Sequence, residues 1–321
     1  FNSNPFFNAS NPVERVSFAA IGKYDLNDST RFFSEALFNW RTSNQPGSPA
    51  TLSNISFDAS HPTNPTGEDI ILLRRRTAEF GSRQFEQDVS TWRLVAGVEG
   101  DLWDGWNYDL SLNWGRNTAV DALKNNINTR RLAETLDPTL CGMNGIPCAD
   151  ILGEGDLTSE VGDYILINQR DTGGNEQISF TGNISGALFD LPAGPVGFAA
   201  GFEYREDKGW LEPDSLLVAG DALGNAQDPV SGSIEAQELY AEVNVPLVRD
   251  LPLAQAVDLD LAVRYSDYDL FGSDENYKVG LNWQLVQDFK LRGTYSTAFR
   301  VPSVTELFSG VSEGPIPTAD P

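Results

Sequence analysis

The chain has 321 residues, with 46 Asp or Glu against 22 Lys or Arg, so its formal net charge is -24. So acidic a chain repels phosphate backbones, which argues against nucleic acid as a partner. It also has no apolar run of about eighteen residues, so the sequence predicts no transmembrane helix, although the weaker alternating signal of membrane-spanning strands is not excluded.

Alternation of apolar and polar residues dominates the sequence. In WNYDLSLNW (106–114), the apolar residues fall on even positions and the polar ones on odd positions, which is the period of a β-strand. Similar patterns predict ten strands, near 13–24, 31–42, 88–100, 106–114, 177–189, 196–206, 236–247, 257–265, 277–285 and 289–296. Phe33 and Leu37 interrupt the pattern in the second of these. The only helix predicted is a short one at 130–136, so the fold class is all-β and antiparallel.

The connections between the predicted strands alternate in length. Short turns fall at 25–30, 101–105, 190–195, 248–256 and 286–288, and long polar segments at 43–87, 117–176 and 207–235. The short connection at 270–275 is the exception on the long side. Transmembrane barrels sort their loops in this way, with short periplasmic turns and long extracellular loops. We interpret the segment 70–80 as an extension above the membrane that pairs with 84–90.

The apolar faces of these strands carry many aromatic residues. Six of them lie near strand ends or on an apolar face: Trp40, Trp92, Trp106, Trp114, Tyr265 and Trp283. They are candidates for the aromatic girdles of a membrane barrel, which makes outer-membrane lipid a predicted partner. The alternative is that they are ordinary strand aromatics, because strands favour Trp and Tyr in any setting.

The two cysteines, Cys141 and Cys148, stand in the short segment CGMNGIPC. We predict a disulfide that closes a small loop in an oxidising compartment. Two free thiols or half of a zinc site are the alternatives, but no CxxC motif and no nearby histidine supports zinc. The acid-rich segment SDYDLFGSDE lacks the spacing of a calcium loop, so no metal site is predicted.

The single histidine, His61, lies in the Pro- and Asn-rich segment SHPTNPTG, where we expect it to be solvated. No Ser or Asp accompanies it in a catalytic arrangement, and no glycine-rich phosphate loop is present. The sequence therefore predicts neither an enzyme nor a cofactor.

Residues 291–308 read LRGTYSTAFRVPSVTELF. This segment resembles a signature of TonB-dependent outer-membrane receptors, carried here by Phe299, Arg300, Pro302, Ser303, Glu306, Leu307 and Phe308. Val301 stands where alanine is commoner. Pro302 cannot donate to a ladder and should end the strand, which leaves Arg300 and Glu306 to fix the exit of the chain. We interpret the motif as architectural rather than ligand-binding.

Four further segments are similar to the barrel of the same family: RRRTAEFGSRQ, EGDLWDGWNYDLSLNWGRN, LFDLPAGPVGFAAGFEYRED and AVRYSDYDLFGSDENYKVGLNW. The resemblance implies a bacterial outer-membrane transporter, in which an N-terminal plug fills a 22-stranded barrel. Ten strands are fewer than half of that number. We therefore expect residues 1–321 to be a partial barrel domain, without the plug and without the C-terminal closing strands.

The same resemblance implies energised uptake of a scarce nutrient of the siderophore, cobalamin or carbohydrate class. The TonB energy-coupling complex would act through the plug and its TonB box in the parent protein. A passive porin-like channel or a small ten-stranded barrel is the alternative.

Loops carry most ligand contacts, and exposed aromatic and acidic side chains there can stack on or hydrogen-bond a solute. On that ground we predict ligand contacts for Tyr164, Trp210, Asp214, Asp221 and Asp228.

Overall fold

The computed structural model describes residues 2–103, 105–153 and 155–310. The strands in this part of the chain are β1 (Val13–Asn27), β2 (Thr30–Gly47), β3 (Thr51–Phe57), β4 (Ile70–Arg76), β5 (Arg83–Trp103), β6 (Trp106–Ile127), β7 (Leu166–Leu191), β8 (Gly194–Glu212), β9 (Val230–Leu251), β10 (Ala254–Tyr268), β11 (Gly272–Val286) and β12 (Phe289–Ser296). The helices are α1 (Thr129–Leu136), α2 (Ser159–Ile165), α3 (Ser215–Val218) and α4 (Val304–Phe308), with single 3-10 turns at Asn4–Phe6 and Ala78–Phe80.

Ten of these strands form one antiparallel sheet in the order β1-β2-β5-β6-β7-β8-β9-β10-β11-β12, and β3 and β4 form a separate hairpin. Each strand of the large sheet pairs with the next of its members along the chain, as in an up-and-down barrel wall. The predicted all-β fold and its ten main strands are confirmed. Within the described residues β1 and β12 each pair on one side only, so the sheet is open and does not form a small closed ten-stranded barrel.

The two faces of the sheet differ in chemistry. Across β10 and β11, Leu259 lies opposite Leu281 and Leu261 opposite Val279, so the apolar side chains form continuous rows. On the other face, Asp260 accepts hydrogen bonds from Asn244 Nδ2 on β9 at 2.6 Å and from Asn282 Nδ2 on β11 at 2.5 Å. The face with these polar pairs also carries α4 and is called the inner face below; the apolar one is the outer face.

The strands run well beyond the ends that the alternation predicts. The longest, β7, has 26 residues, and β6 and β9 have 22 each, whereas about 9–11 residues are enough to span the apolar layer of a membrane. Backbone hydrogen bonding between the strands continues beyond the residues that alternate between apolar and polar, because these hydrogen bonds require no particular side chain. The long connections are therefore shorter than predicted and comprise 48–82, 128–165 and 213–229.

The connections are nevertheless sorted by edge as predicted. The short turns, such as 28–29, 192–193 and 287–288, lie at one edge of the sheet, and the three long connections lie at the other. We call these the short-turn edge and the long-loop edge. The connection 269–271 is the short exception at the long-loop edge, also as predicted.

The prediction for residues 70–80 is wrong in its pairing. β4 pairs with β3, with Ile55 opposite Leu72, and not with residues 84–90. Those residues belong to β5, which is hydrogen-bonded to β2 on one side and to β6 on the other. No edge was left for a third partner, so β4 pairs locally with the strand that precedes it in the same connection.

The predicted helix at 130–136 is confirmed as α1. Asn128 caps its first turn, because the side-chain oxygen accepts a hydrogen bond from the backbone N–H of Arg131 at 2.9 Å. Among the described residues, no helix is both long and apolar enough to cross a membrane.

Candidate binding surface at the long-loop edge

The connections 48–82 and 128–165 fold together at the long-loop edge into one packed unit, which we call the cap. Its core is the larger of the two clusters of buried apolar side chains in the described chain: Ala50, Leu52, Phe57, Leu132, Leu136, Ala149, Ile151, Leu157, Val161 and Ile165, with Ile127 at the end of β6. Leu132 and Leu136 lie in the predicted helix at 130–136, but the set as a whole follows no single period in the sequence, so both segments were predicted to be polar connections. Burying them makes the cap a folded surface rather than two mobile loops.

His61 lies inside the cap, contrary to the prediction that it is solvated. Its side chain is only 2% exposed, and its ring packs on Phe57 with a centroid distance of 4.8 Å. Nε2 lies 3.1 Å from the carbonyl oxygen of Thr135 and 3.4 Å from Cys141 Sγ, while Nδ1 lies 3.0 Å from Thr63 Oγ1. The connection 48–82 folds over residues 135–149, and this brings together groups that are far apart in sequence.

The structure places the cysteine pair beside this histidine. The Cα atoms of Cys141 and Cys148 are 4.8 Å apart, within the usual range for a bonded pair, and the structure joins their sulfur atoms. Gly142 and Gly145 have φ of 79° and 80°, values that favour glycine and let the short segment turn back on itself. The disulfide stays a prediction that mass spectrometry can test.

Two of the predicted ligand contacts, Tyr164 and Asp221, belong to one polar network. Arg130 of α1 donates from Nε to Asp221 at 3.2 Å and from Nη1 to Glu134 at 2.9 Å, and the Tyr164 hydroxyl donates to Glu134. The bond to Glu134 raises the pKa of Tyr164, and the bond to Asp221 raises the pKa of Arg130. The network joins the cap to the connection 213–229.

The other three predicted contacts lie apart from this network. Asp214 caps α3, where its carboxylate accepts hydrogen bonds from the backbone N–H groups of Leu216 and Arg170 at 2.9 and 3.0 Å. Trp210 of β8 makes a cation–π contact with Arg116, whose guanidinium carbon lies 5.1 Å from the centroid of the Trp210 ring. Asp228 lies next to Gly310. Contact of any of these residues with a ligand stays a prediction.

A cationic cavity in the cap was not predicted. Arg74, Arg75 and Arg76 of β4, with Ser53 and Gly153 among the other lining residues, border a cavity of about 790 Å³. The run RRR at 74–76 stands in a chain that is otherwise poor in cations. This run was the sequence signal that could have identified the cationic cavity.

The residues that line this cavity include the three arginines and one carboxylate, that of Glu79. Arg75 donates to Glu79 at 2.6 Å and to the Gly153 carbonyl oxygen at 2.7 Å. Burial by itself would raise the pKa of Glu79, but the hydrogen bonds from Arg75 and from backbone N–H groups outweigh it and lower the pKa. Arg76 donates to the Pro49 carbonyl oxygen at 2.9 Å, and Arg74 is solvent-exposed. The cavity therefore keeps cationic character in an acidic protein.

The motif at 297–308 forms a compact element on the inner face. β12 ends at Ser296, and Ser303 caps α4: its Oγ accepts from the N–H of Glu306, whose carboxylate in turn accepts from the N–H of Ser303 at 2.7 Å. Arg300 holds the same carboxylate with two bonds of 2.6 and 2.7 Å. These bonds lower the pKa of Glu306 to about 2, with the bond from Arg300 as the largest cause.

The apolar motif residues hold this element against the sheet. Gly209 of β8 and Gly232 of β9 are paired across the strands, and α4 lies over them, so that a Cβ at Gly232 would overlap the Phe308 ring. Leu307 packs on the small cluster around Tyr268, whose ring meets Phe299 edge-on at a centroid distance of 5.7 Å. The chain thus needs two glycines where α4 approaches the sheet. The architectural role of the motif residues stays a prediction.

This arrangement of polar groups is suited to noncovalent binding. The ring nitrogens of the single histidine face Thr63, Thr135 and Cys141 and have no carboxylate partner. Within residues 2–103, 105–153 and 155–310, no serine, histidine and acid come together as a catalytic set. The cap instead offers arginine side chains at one cavity, and a separate network of arginine, tyrosine and carboxylate groups at its contact with the connection 213–229.

The family described as TonB dependent receptor-like, beta-barrel matches residues 23–320. Among solved structures, FpvA of P. aeruginosa, in a complex with a heterologous pyoverdine and iron, is similar at 14% identity and a TM-score of 0.47. The match covers 88% of this chain and 35% of that chain, so this chain spans about a third of the length of that receptor.

The match at 23–320 covers the wall from the end of β1 onward and the motif at 297–308. TonB-dependent receptors are transporters rather than enzymes, in agreement with the prediction that this chain is no enzyme. The chain belongs to the family of TonB-dependent receptors, and its strands form part of the β-barrel of such a receptor.

Proposed function

We propose that this chain forms part of the wall and of the outer vestibule of an outer-membrane transporter, which takes up a scarce nutrient with energy from TonB. The observation that carries the proposal is the ten-stranded meander with an apolar outer face and a hydrogen-bonded polar inner face. Such a wall is stable where lipid covers one side and a wet lumen the other. The family match agrees with it.

The outer vestibule in this proposal is the long-loop edge, where the cap and the connection 213–229 lie. The polar network of Tyr164, Glu134, Arg130 and Asp221 and the cavity beside Arg74–Arg76 provide groups for a polar solute. Cationic lining supports an anionic or strongly polar nutrient over an apolar one, because it attracts negative charge. Within the siderophore, cobalamin and carbohydrate classes, this supports an anionic siderophore complex first.

Energy coupling in this proposal acts through the plug that the family resemblance implies for the full receptor. The wall and the loops then bind and orient the solute, and opening of the path depends on TonB pulling on the plug. Transport is therefore a property of the whole receptor, and this part of the chain contributes the surfaces on which the solute is captured.

The test is uptake of candidate nutrients by cells that express the full receptor, with and without the gene for TonB. We expect uptake to vanish in the TonB deletion, while entry of a solute that uses a general porin stays unchanged. Uptake that continues at the same rate without TonB would favour the passive channel and contradict the proposal.

A further inference from the structure

His61, Cys141 and Cys148 form a cluster that neither the family nor the proposed function explains. They come from two different connections, yet His61 Nε2 and the two Sγ atoms all lie within 4.8 Å of one another. We propose that, when the cysteine pair is reduced, these three side chains bind one thiophilic divalent metal ion of the zinc type. This site is independent of nutrient transport.

The spacing of the first two ligand atoms already suits zinc. Zn–S bonds of about 2.3 Å and Zn–N bonds of about 2.0–2.1 Å, at a tetrahedral angle, place sulfur and nitrogen about 3.5 Å apart. His61 Nε2 and Cys141 Sγ are 3.4 Å apart. Only the sulfur of Cys148 has to move away from the sulfur of Cys141. Cys148 ends a short segment that contains two glycines at positive φ.

The surroundings of His61 allow the tautomer that metal binding requires. Nε2 now donates to the Thr135 carbonyl oxygen and would have to lose its proton to become a ligand. That carbonyl oxygen also accepts from the N–H of Ala149 at 3.0 Å, so it would not be left without a partner. Nδ1 now accepts from the backbone N–H of Thr63 at 3.3 Å; it would give up that bond, carry the proton and donate to Thr63 Oγ1, which is 3.0 Å away.

Thr63 is in turn held in place for this role. Its hydroxyl donates to the Ala149 carbonyl oxygen at 2.9 Å. A lone pair of Oγ1 can therefore accept a hydrogen bond from a protonated Nδ1 of His61. A ligating histidine usually has such a partner on its other nitrogen, and the partner fixes the ring and raises its basicity. The structure therefore contains the ligands and the outer partner together.

Burial decides how a metal ion would reach the site. His61 and Cys141 are buried, whereas Cys148 is half-buried, so the ion would enter from the side of Cys148. Three protein ligands leave the fourth position of a tetrahedral ion to water, as in zinc sites that are not fully closed. Binding should consequently be weaker than at a closed structural site with four protein ligands.

The chemistry balances with a thiol as the reductant. Two equivalents of a small thiol reduce the disulfide to two cysteine thiols and leave as their own disulfide. The metal ion then displaces two protons, one from each thiol. In the oxidised state the disulfide closes only the segment 141–148. In the reduced, metal-bound state the ion would link that segment to His61 in the connection 48–82.

The test is a cadmium titration of the purified protein in detergent, because cadmium replaces zinc and its thiolate bonds absorb in the near ultraviolet. Protein reduced with a phosphine should take up one cadmium ion with a charge-transfer band, and oxidised protein should show none. Mass spectrometry without reduction confirms which state is titrated. Absence of the band in the reduced protein, or equal cadmium uptake by the oxidised protein, would overturn the proposal.

Substitutions can distinguish the metal-binding side chains from the residues next to them. Cys148→Ser should abolish the band, and Thr63→Val should weaken cadmium binding about 10-fold through loss of the outer partner. His61→Asn should weaken it at least as much; if this buried change unfolds the cap, Thr63→Val decides the question. Met143→Leu, an exposed change in the same segment, should leave binding unchanged. Unchanged affinity in both Thr63→Val and His61→Asn would rule out His61 as a ligand.

Discussion

The wall and the cap use the same kinds of apolar residue in opposite environments. On the outer face of the wall, Leu112 is 48% exposed in the isolated chain, while in the cap Phe57 is 1% exposed. The cap therefore has a water-excluding core of its own, whereas the apolar side chains on the outer face of the wall are uncovered in the isolated chain. The wall depends on its hydrogen-bonded ladder and on the solvent that covers its outer face, which in the proposed function is lipid. Mutations in the cap should consequently act through lost buried volume, and mutations in the wall through charge placed on one face or the other.

The largest effect is expected in the core of the cap. Phe57→Ala removes a fully buried ring and leaves a cavity, so the free energy of local unfolding of the cap should fall by about 3–5 kcal/mol. Ile71→Ala, on the exposed side of the same hairpin, should change it by less than about 0.5 kcal/mol. Native-state hydrogen exchange of the β3 and β4 amides measures both. Equal effects would mean that the cap has no independent core.

The wall should respond to charge rather than to lost volume. Leu112→Arg places a cation on the outer face and should cost about 2–4 kcal/mol if the site lies near the bilayer midplane. Ser111→Arg, one residue away on the inner face, should cost much less, since that side is wet. Folding into lipid vesicles, followed by denaturant titration, gives both values. A similar cost at the two positions would contradict the assignment of the faces.

A smaller effect is expected where α4 meets the wall. Gly232→Ala would press a methyl group into the Phe308 ring, and overpacking of this kind costs about 1–3 kcal/mol. Gly197→Ala is the matched control in β8, because its nearest contact would be Asn244 Cβ at an ordinary 3.7 Å. Hydrogen exchange of the α4 amides should accelerate only in Gly232→Ala. Equal protection in both variants would show that α4 does not rest on this glycine pair.

The smallest effect is the pH response of α4. The pKa of Glu306 is lowered from its ordinary value of 4.5 to about 2, first by the bond from Arg300. Because the folded value lies below the unfolded one, the link stabilises α4 fully above about pH 4.5 and is lost as the pH falls through about 2. An NMR titration of the Ser303 amide should show a midpoint near 2. A midpoint at 4.5 would mean that Arg300 does not hold the carboxylate.

The sequence alone determined the wall. Alternation in segments such as WNYDLSLNW fixes which side chains share a face, since a strand has a period of two residues, and the sorting of connections by length follows from the same strands. The motif at 297–308 was recognisable by its resemblance to the family, and the capped turn that Ser303 and Glu306 form within it is a local feature. All of these features depend on neighbours within a few residues.

Only the tertiary structure decided the cap and its contacts. Leu52, Ile151 and Ile165 have no common period, and they become a core because two connections separated by strands β5 and β6 fold onto each other. The pairing of β4 was decided by which strand edges remained open. The contact between His61 and Cys141 joins residues that are eighty positions apart. Local patterns carry no information on such pairs, because proximity there results from the closure of long loops and not from the geometry of one strand.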